Sequence, residues 1–171
     1  MTLVGPRATA TTVGNSLYGA GGHIRRNTKE SIYNSVIMGW PIGLLFDGSK
    51  GVPTDLNIAS NELQVQNTVI SNCATPIKYS PSATAPTGAT DATITAWFLT
   101  SAYGNSILTS NDDVKLTAPF NYTAPDFTPA TGSPLLSGAT FTNTKLTGFT
   151  VVAYRGAVGP GDMWWKGWTK F

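Results

Sequence analysis

The sequence is short of charge, sulfur and imidazole. Only 12% of its 171 residues are Asp, Glu, Lys or Arg, about half the share usual in globular chains. It has one cysteine, so no disulfide closes within the chain and no cysteine-based metal site forms. That cysteine, Cys73, ends the run Val69-Ile70-Ser71-Asn72-Cys73, which makes it a small buried hydrophobe rather than a reactive thiol. The one histidine, His23, follows Gly21-Gly22 and reads as a solvent-facing loop residue. No Gly-x-Ser-x-Gly elbow supplies it with a nucleophile. Phosphate-loop, dinucleotide and EF-hand spacings are missing as well.

No apolar run approaches the ~18 residues that cross a bilayer, so the chain is expected not to span a membrane. Its start, Met1-Thr2-Leu3-Val4-Gly5-Pro6, lacks the basic and long apolar regions of a signal peptide. The net charge of +2, from 11 basic and 9 acidic residues, is too small and too dispersed for a nucleic-acid partner. Arg25-Arg26 is the one local basic pair. It reads as a strand end or turn, with an anion site as the alternative.

What is present is a 41% hydrophobic fraction, sufficient for one core, and a surface of Thr, Ser, Asn and Gly. Helices need long charged side chains on their solvent face, and those are scarce. The composition fits an extracellular all-β protein. Two stretches share one grammar. Ile32-x-Asn34-Ser35-Val36-Ile37 matches Val65-x-Asn67-Thr68-Val69-Ile70, and each leads through a small turn to a second strand, Pro41-Ile42-Gly43-Leu44 or Thr75-Pro76-Ile77-Lys78. Asn tolerates the left-handed backbone of a sharp bend. Stacked Asn side chains can hydrogen-bond up a ladder. The β-branched pair that follows points one residue inward and one outward.

This repeat predicts an all-β right-handed parallel β-helix, a solenoid built as a single domain over 1–171. Insertions are expected near 47–62 and 80–106. The second should hold a short helix capped by Thr90 or Asp91, with Ile94, Trp97 and Phe98 on its apolar face. Leu3-Val4 reads as a short strand, and Ser106-Ile107-Leu108 as a return to the sheets. An aromatic C-terminal cap is expected over 126–171.

The run from Asp126 to Ala139 places Asp-Phe-x-Pro before Gly-Ser-Pro and a small apolar strand. It resembles the closing motif of many secreted right-handed β-helix proteins, and the two Asn-(Ser/Thr)-Val-Ile runs resemble their repeats. More narrowly, nearly the whole chain is similar to the C-terminal half of secreted proteins of Bacteroidota that have no established activity. The segments that carry this are Arg25-Arg26-Asn27-Thr28, Tyr33-Asn34-Ser35-Val36-Ile37-Met38-Gly39, Thr54-Asp55-Leu56-Asn57, Ala85-Pro86-Thr87-Gly88-Ala89-Thr90-Asp91, Tyr154-Arg155-Gly156-Ala157 and Trp165-Lys166-Gly167-Trp168-Thr169. The resemblance implies a C-terminal fragment, an export signal upstream, an internal or engineered Met1, and a place outside the cell or on its outer surface. It implies no chemistry.

Candidate chemistry is sparse. Glycoside hydrolysis needs two carboxylates across a sugar, and β-elimination of a uronide needs a base and a group that neutralises the carboxylate. Arg25, Arg26, Asp47 and Asp55 are the catalytic candidates, with Lys50, Asp112 and Asp113 behind them. Asp112 and Asp113 are adjacent, face opposite ways on a strand, and read as a turn. No cofactor is expected; a loop calcium site on Asp47, Asp55 or Asp112 is the one alternative. Trp164, Trp165, Trp168 and Tyr154, with Trp40, are the ligand-binding candidates, as a platform for sugar rings. The competing reading packs them over the last open edge. The expected function is a non-catalytic structural or glycan-binding module. The alternative is a polysaccharide lyase or glycoside hydrolase with part of its active face upstream. Polysaccharide or cell-surface glycan is the expected partner, and an exposed edge allows self-association.

Overall fold

Val36-Ile37-Met38 and Val69-Ile70-Ser71 are short runs rich in β-branched residues, bounded by positions that turn the chain sharply. In the computed structural model, which describes residues 1–167, 169 and 170, Asn34 (φ 50°) and Asn67 (φ 52°) precede the two runs. Gly39 (φ 70°) and Asn72 (φ 46°) follow them. A left-handed backbone costs most L residues about 1–2 kcal/mol, and Asn and Gly are the types that visit it routinely. The chain therefore bends at both ends of a three-residue strand and returns to pair with itself. Ile32 lies beside Val65 and Val36 beside Val69, 33 residues on in both cases.

The elements in order are β1 (Thr2–Val4), β2 (Ala20–Arg25), β3 (Ile32–Tyr33), β4 (Val36–Met38), β5 (Ile42–Asp47), α1 (Leu56–Ala59), β6 (Val65–Gln66), β7 (Val69–Ser71), β8 (Thr75–Ser80), α2 (Asp91–Phe98), β9 (Ser106–Leu108), α3 (Asn111–Val114), β10 (Leu116–Ala118) and β11 (Asp126–Pro129). Three sheets are parallel, in the orders β1-β4-β7-β9, β2-β5-β8 and β3-β6. The fourth, β10-β11, is antiparallel.

The all-β right-handed parallel β-helix expected from the repeat is not what forms. The fold is mixed α/β: several separate parallel sheets of short strands with a few helices, which do not close into a solenoid among the described residues. The reason is local. Among the described residues only the sheet containing β9 reaches a fourth strand. After it, Ser110 caps α3 reciprocally with Asp113, and Lys115 takes φ 54°. The chain is thereby turned into the antiparallel β10-β11 pair. The helices also supply core that strands would otherwise supply. Thr90 caps α2 in a reciprocal box with Thr93, and Ile94 and Phe98 are buried on its inner face. The ring of Trp97 meets Phe46 edge-on at 5.8 Å.

The sheet containing β4 and β7 is covered on both sides. Ile37 and Ile70 enter the larger core with Leu44, Phe46, Ile77 and Phe98. Val36, Met38 and Val69 point the other way, into a second core with Val114 and Leu135. All three residues of β4 are fully buried. The expected alternation is present, but its outward row is not at the surface. The last third of the chain lies over it, and each buried aliphatic side chain contributes about 1.5–3 kcal/mol.

That covering segment is held by backbone contacts. Arg155 N–H donates to Leu135 C=O at 2.8 Å, and Gly156 N–H donates to Asn34 C=O at 2.7 Å. Gly156 (φ 101°) is required here, because a Cβ would stand 2.7 Å from Thr2 Oγ1. The expected ladder of stacked Asn amides is replaced by a clasp. Asn34 Nδ2 donates to Thr140 C=O at 2.8 Å, and its Oδ1 accepts from Thr140 N–H at 3.0 Å. Asn67 Nδ2 donates to Thr140 Oγ1 at 2.6 Å.

Asn34 thus serves both the bend and the clasp. Asn34→Ala is expected to cost about 2–4 kcal/mol in urea denaturation, from the left-handed backbone and two lost hydrogen bonds. Asn34→Gly, which keeps the bend, should cost about half of that. Equal losses would show that the bend contributes nothing.

Candidate functional site

Alternation along β2 puts His23 and Arg25 on one face, and the register sets Arg25 beside Asp47 of β5. Asp47 Oδ2 is 2.9 Å from His23 Nε2 and 3.8 Å from Arg25 Nε. Its Oδ1 accepts from Ser49 N–H at 2.8 Å. Burial alone pushes the Asp47 carboxyl up, but the hydrogen bonds from Ser49 and His23 outweigh it and hold the group at about 2. Asp47 is therefore a fixed anion at neutral pH and has no proton to give as a general acid.

The remaining catalytic candidates do not join this cluster. Asp55 is buried and accepts from Tyr79 Oη at 2.8 Å and from Thr87 Oγ1 at 2.6 Å, a clamp that ties the loop after β8 to the core. Arg26 sits in a left-handed turn (φ 54°) beyond β2. Lys50 is exposed, and Asp112 and Asp113 occupy the first turn of α3. The structure thus unites Arg25 with Asp47, separates Arg26 and Asp55 from them, and adds His23. The two-residue spacing of His23 and Arg25 was the available signal, missed because the segment was read as loop. Among the described residues no three His, Cys, Asp or Glu side chains gather in a metal-holding group. Cys73 is half-buried against the larger core, where burial pushes its thiol up.

The aromatic candidates divide. Trp164 is 51% exposed, whereas Trp165 is 4% exposed. Their rings stand at 87° with centroids 6.3 Å apart, so the two do not form the expected flat platform. Trp165 instead packs on Phe127 at 5.4 Å. Trp40 is half-buried against the larger core, and Tyr154 is half-buried against Gly159. Trp168 lies outside the described residues.

What the aromatics do form is a groove of about 350 Å³. It is lined by Thr2, Leu3 and Val4 of β1 and by Trp40, Phe127, Ala157, Val158, Trp164, Trp165 and Thr169. Trp164 is fixed in it by its Nε1–H, which donates to Ala157 C=O at 3.0 Å. Among the described residues β1 ends its sheet, with β4 as its one strand neighbour. Val36 N–H donates to Met1 C=O, and Gly5 N–H donates to Met38 C=O. A parallel ladder uses alternate residues, so the backbone groups of Thr2 and Val4 face away from β4, on the side without a strand. The contribution of β1 was invisible in the sequence, where Leu3-Val4 reads only as an isolated short strand.

A second groove, of about 510 Å³, lies beside β3 and includes Lys29, Tyr33, Lys145 and Phe149. Three of its polar side chains are engaged within the protein. Lys29 pairs with Glu62 at 2.7 Å, Lys145 Nζ donates to Ser31 Oγ at 2.9 Å and to Glu62 C=O, and Tyr33 Oη donates to Gln64 Oε1. The groove at Trp164 is the better-formed candidate.

Among the described residues no helix is long and apolar enough to cross a membrane. Compared with protein-family models, curated proteins and solved structures, the chain matches none of them.

The depressed carboxyl of Asp47 makes stability pH-dependent. Its folded value of about 2 lies below the ordinary 3.8, so its contribution is complete above about pH 4 and is lost as the pH falls toward 2. Discounted for solvent screening, the loss is about 1–2 kcal/mol. Urea titrations of wild type and Asp47→Asn should differ at pH 6 and converge near pH 2. A gap that persists unchanged at pH 2 would contradict the assignment.

Proposed function

We propose that the chain is a non-catalytic extracellular or cell-surface module that binds a saccharide in the groove at Trp164. The observation that carries this reading is the half-exposed Trp164 ring, held by Ala157 at the mouth of an aromatic-lined groove. Concave apolar sites with a few convergent polar groups are the usual form of small-ligand sites. An indole presents a broad apolar face and a polar N–H together. A sugar ring has the complementary surface, with C–H groups on its face and hydroxyls at its rim. The location outside the cell rests on the low charge and Thr/Asn-rich composition and on the resemblance to secreted Bacteroidota proteins.

A second reading, a polysaccharide lyase or glycoside hydrolase, draws on the contact between Arg25, His23 and Asp47. It is the weaker one. Hydrolysis needs a protonated carboxyl opposite a second carboxylate, and Asp47 is held ionised while Asp55 is committed to Tyr79 and Thr87.

The test is co-sedimentation of the full chain with insoluble polysaccharides, scored together with released oligosaccharide. Binding without product is expected. Trp164→Ala should weaken binding tenfold or more, about 1.4 kcal/mol or above, and lower the unfolding free energy by about 1 kcal/mol, for the lost hydrogen bond to Ala157. Trp165→Ala, at a buried position, should instead destabilise the fold by about 3–5 kcal/mol. Full binding by Trp164→Ala would remove the groove from the account, and product release would remove the non-catalytic assignment.

A further inference from the structure

We infer that the groove at Trp164 takes an uncharged saccharide unit of one or two rings, read in part by the open backbone edge of β1. This inference rests on the saccharide reading and specifies its ligand. None of the ten described residues that line the groove carries a charged side chain. A carboxylate or sulfate placed there would lose water and gain no counter-charge. Asp126 and Lys166 line a separate depression that shares Trp165 and Thr169 with the groove.

Size and edge point the same way. The volume of about 350 Å³ is at the lower end of the roughly 300–1,000 Å³ of small-ligand sites. The backbone of Thr2 and Val4 offers alternating N–H donors and C=O acceptors. A sugar hydroxyl, which both donates and accepts, can use either. An added peptide strand fits less well, because β1 is only three residues long and Ala157 crosses one end of it, its N–H donating to Thr2 Oγ1 at 2.9 Å.

The experiment is calorimetric titration of the full chain with neutral gluco-, xylo- and manno-oligosaccharides and with oligogalacturonate, each at low and high salt. A neutral series should bind with an affinity that changes less than about twofold between 0.05 and 0.5 M salt, while oligogalacturonate binds at least about tenfold more weakly. Trp164→Ala should abolish the neutral signal, and Trp164→Phe should restore part of it. Oligogalacturonate binding as tightly as the neutral series, or an affinity that falls about tenfold with salt, would overturn the inference and leave the saccharide reading standing. If no saccharide of either kind binds, or if Trp164→Ala binds like wild type, the saccharide reading itself falls, and the inference with it.

Discussion

A three-residue strand cannot bury one side chain without deciding what becomes of the next. In β4, Ile37 points into the larger core while Val36 and Met38 point the opposite way, and all three are fully buried. Parallel sheets of this kind are stable when both faces are covered. The larger core covers one face with the neighbouring sheet and α2. The other face meets no further parallel sheet among the described residues, and the last third of the chain, with Leu116 of β10, lies over it. Much of the remaining structure follows from that requirement.

The cover has little regular structure of its own. It is fixed by a handful of directional contacts: Ser133 Oγ donating to Val114 C=O, Arg155 N–H to Leu135 C=O, and the two amides that clasp Thr140. Once Gly156 and Ala157 have crossed β1, the chain turns back along the open edge of that strand. There Trp165 packs on Phe127, while Trp164 stays exposed and held by Ala157. The groove is therefore a by-product of covering the sheet. Its wall comes from the cover, its edge from the first strand, and neither part makes a site alone.

The portion of this legible in the sequence was the part with a period. The correspondence of Ile32–Ile37 with Val65–Ile70 predicted the register, and the capped helix at Thr90 was readable from its spacing. The closed all-β solenoid was an over-extension of two matching repeats. Ser110 with Asp113 and the left-handed Lys115 end the parallel pairing, and a capping box of four residues carries little weight beside a long repeat. The cover was illegible for a different reason. Residues such as Leu135 and Thr140 lie in a Pro-, Gly- and Thr-rich stretch with neither a 2- nor a 3.6-residue period, so nothing local distinguishes a buried leucine from an exposed one. Of the site, Trp164 was named from composition alone. The perpendicular setting of Trp165 and the part played by Thr2–Val4 are tertiary facts. His23 was set aside as a solvent-facing loop residue, and its contact with Asp47 of another strand is a tertiary fact too.

The parallel sheet and its cover depend on each other, and native-state hydrogen exchange on the full chain tests that dependence directly. The amides of β4 and β7 and those bonded in the covering segment, Arg155 and Gly156, should exchange as one cooperative unit with a common opening free energy. Removing the cover leaves Val36, Met38 and Val69 in water, and removing the sheet leaves the cover without a core. If Arg155 and Gly156 exchange rapidly while β4 and β7 keep full protection, the sheet is stable without its cover. The constraint proposed here as the origin of the groove would then be wrong.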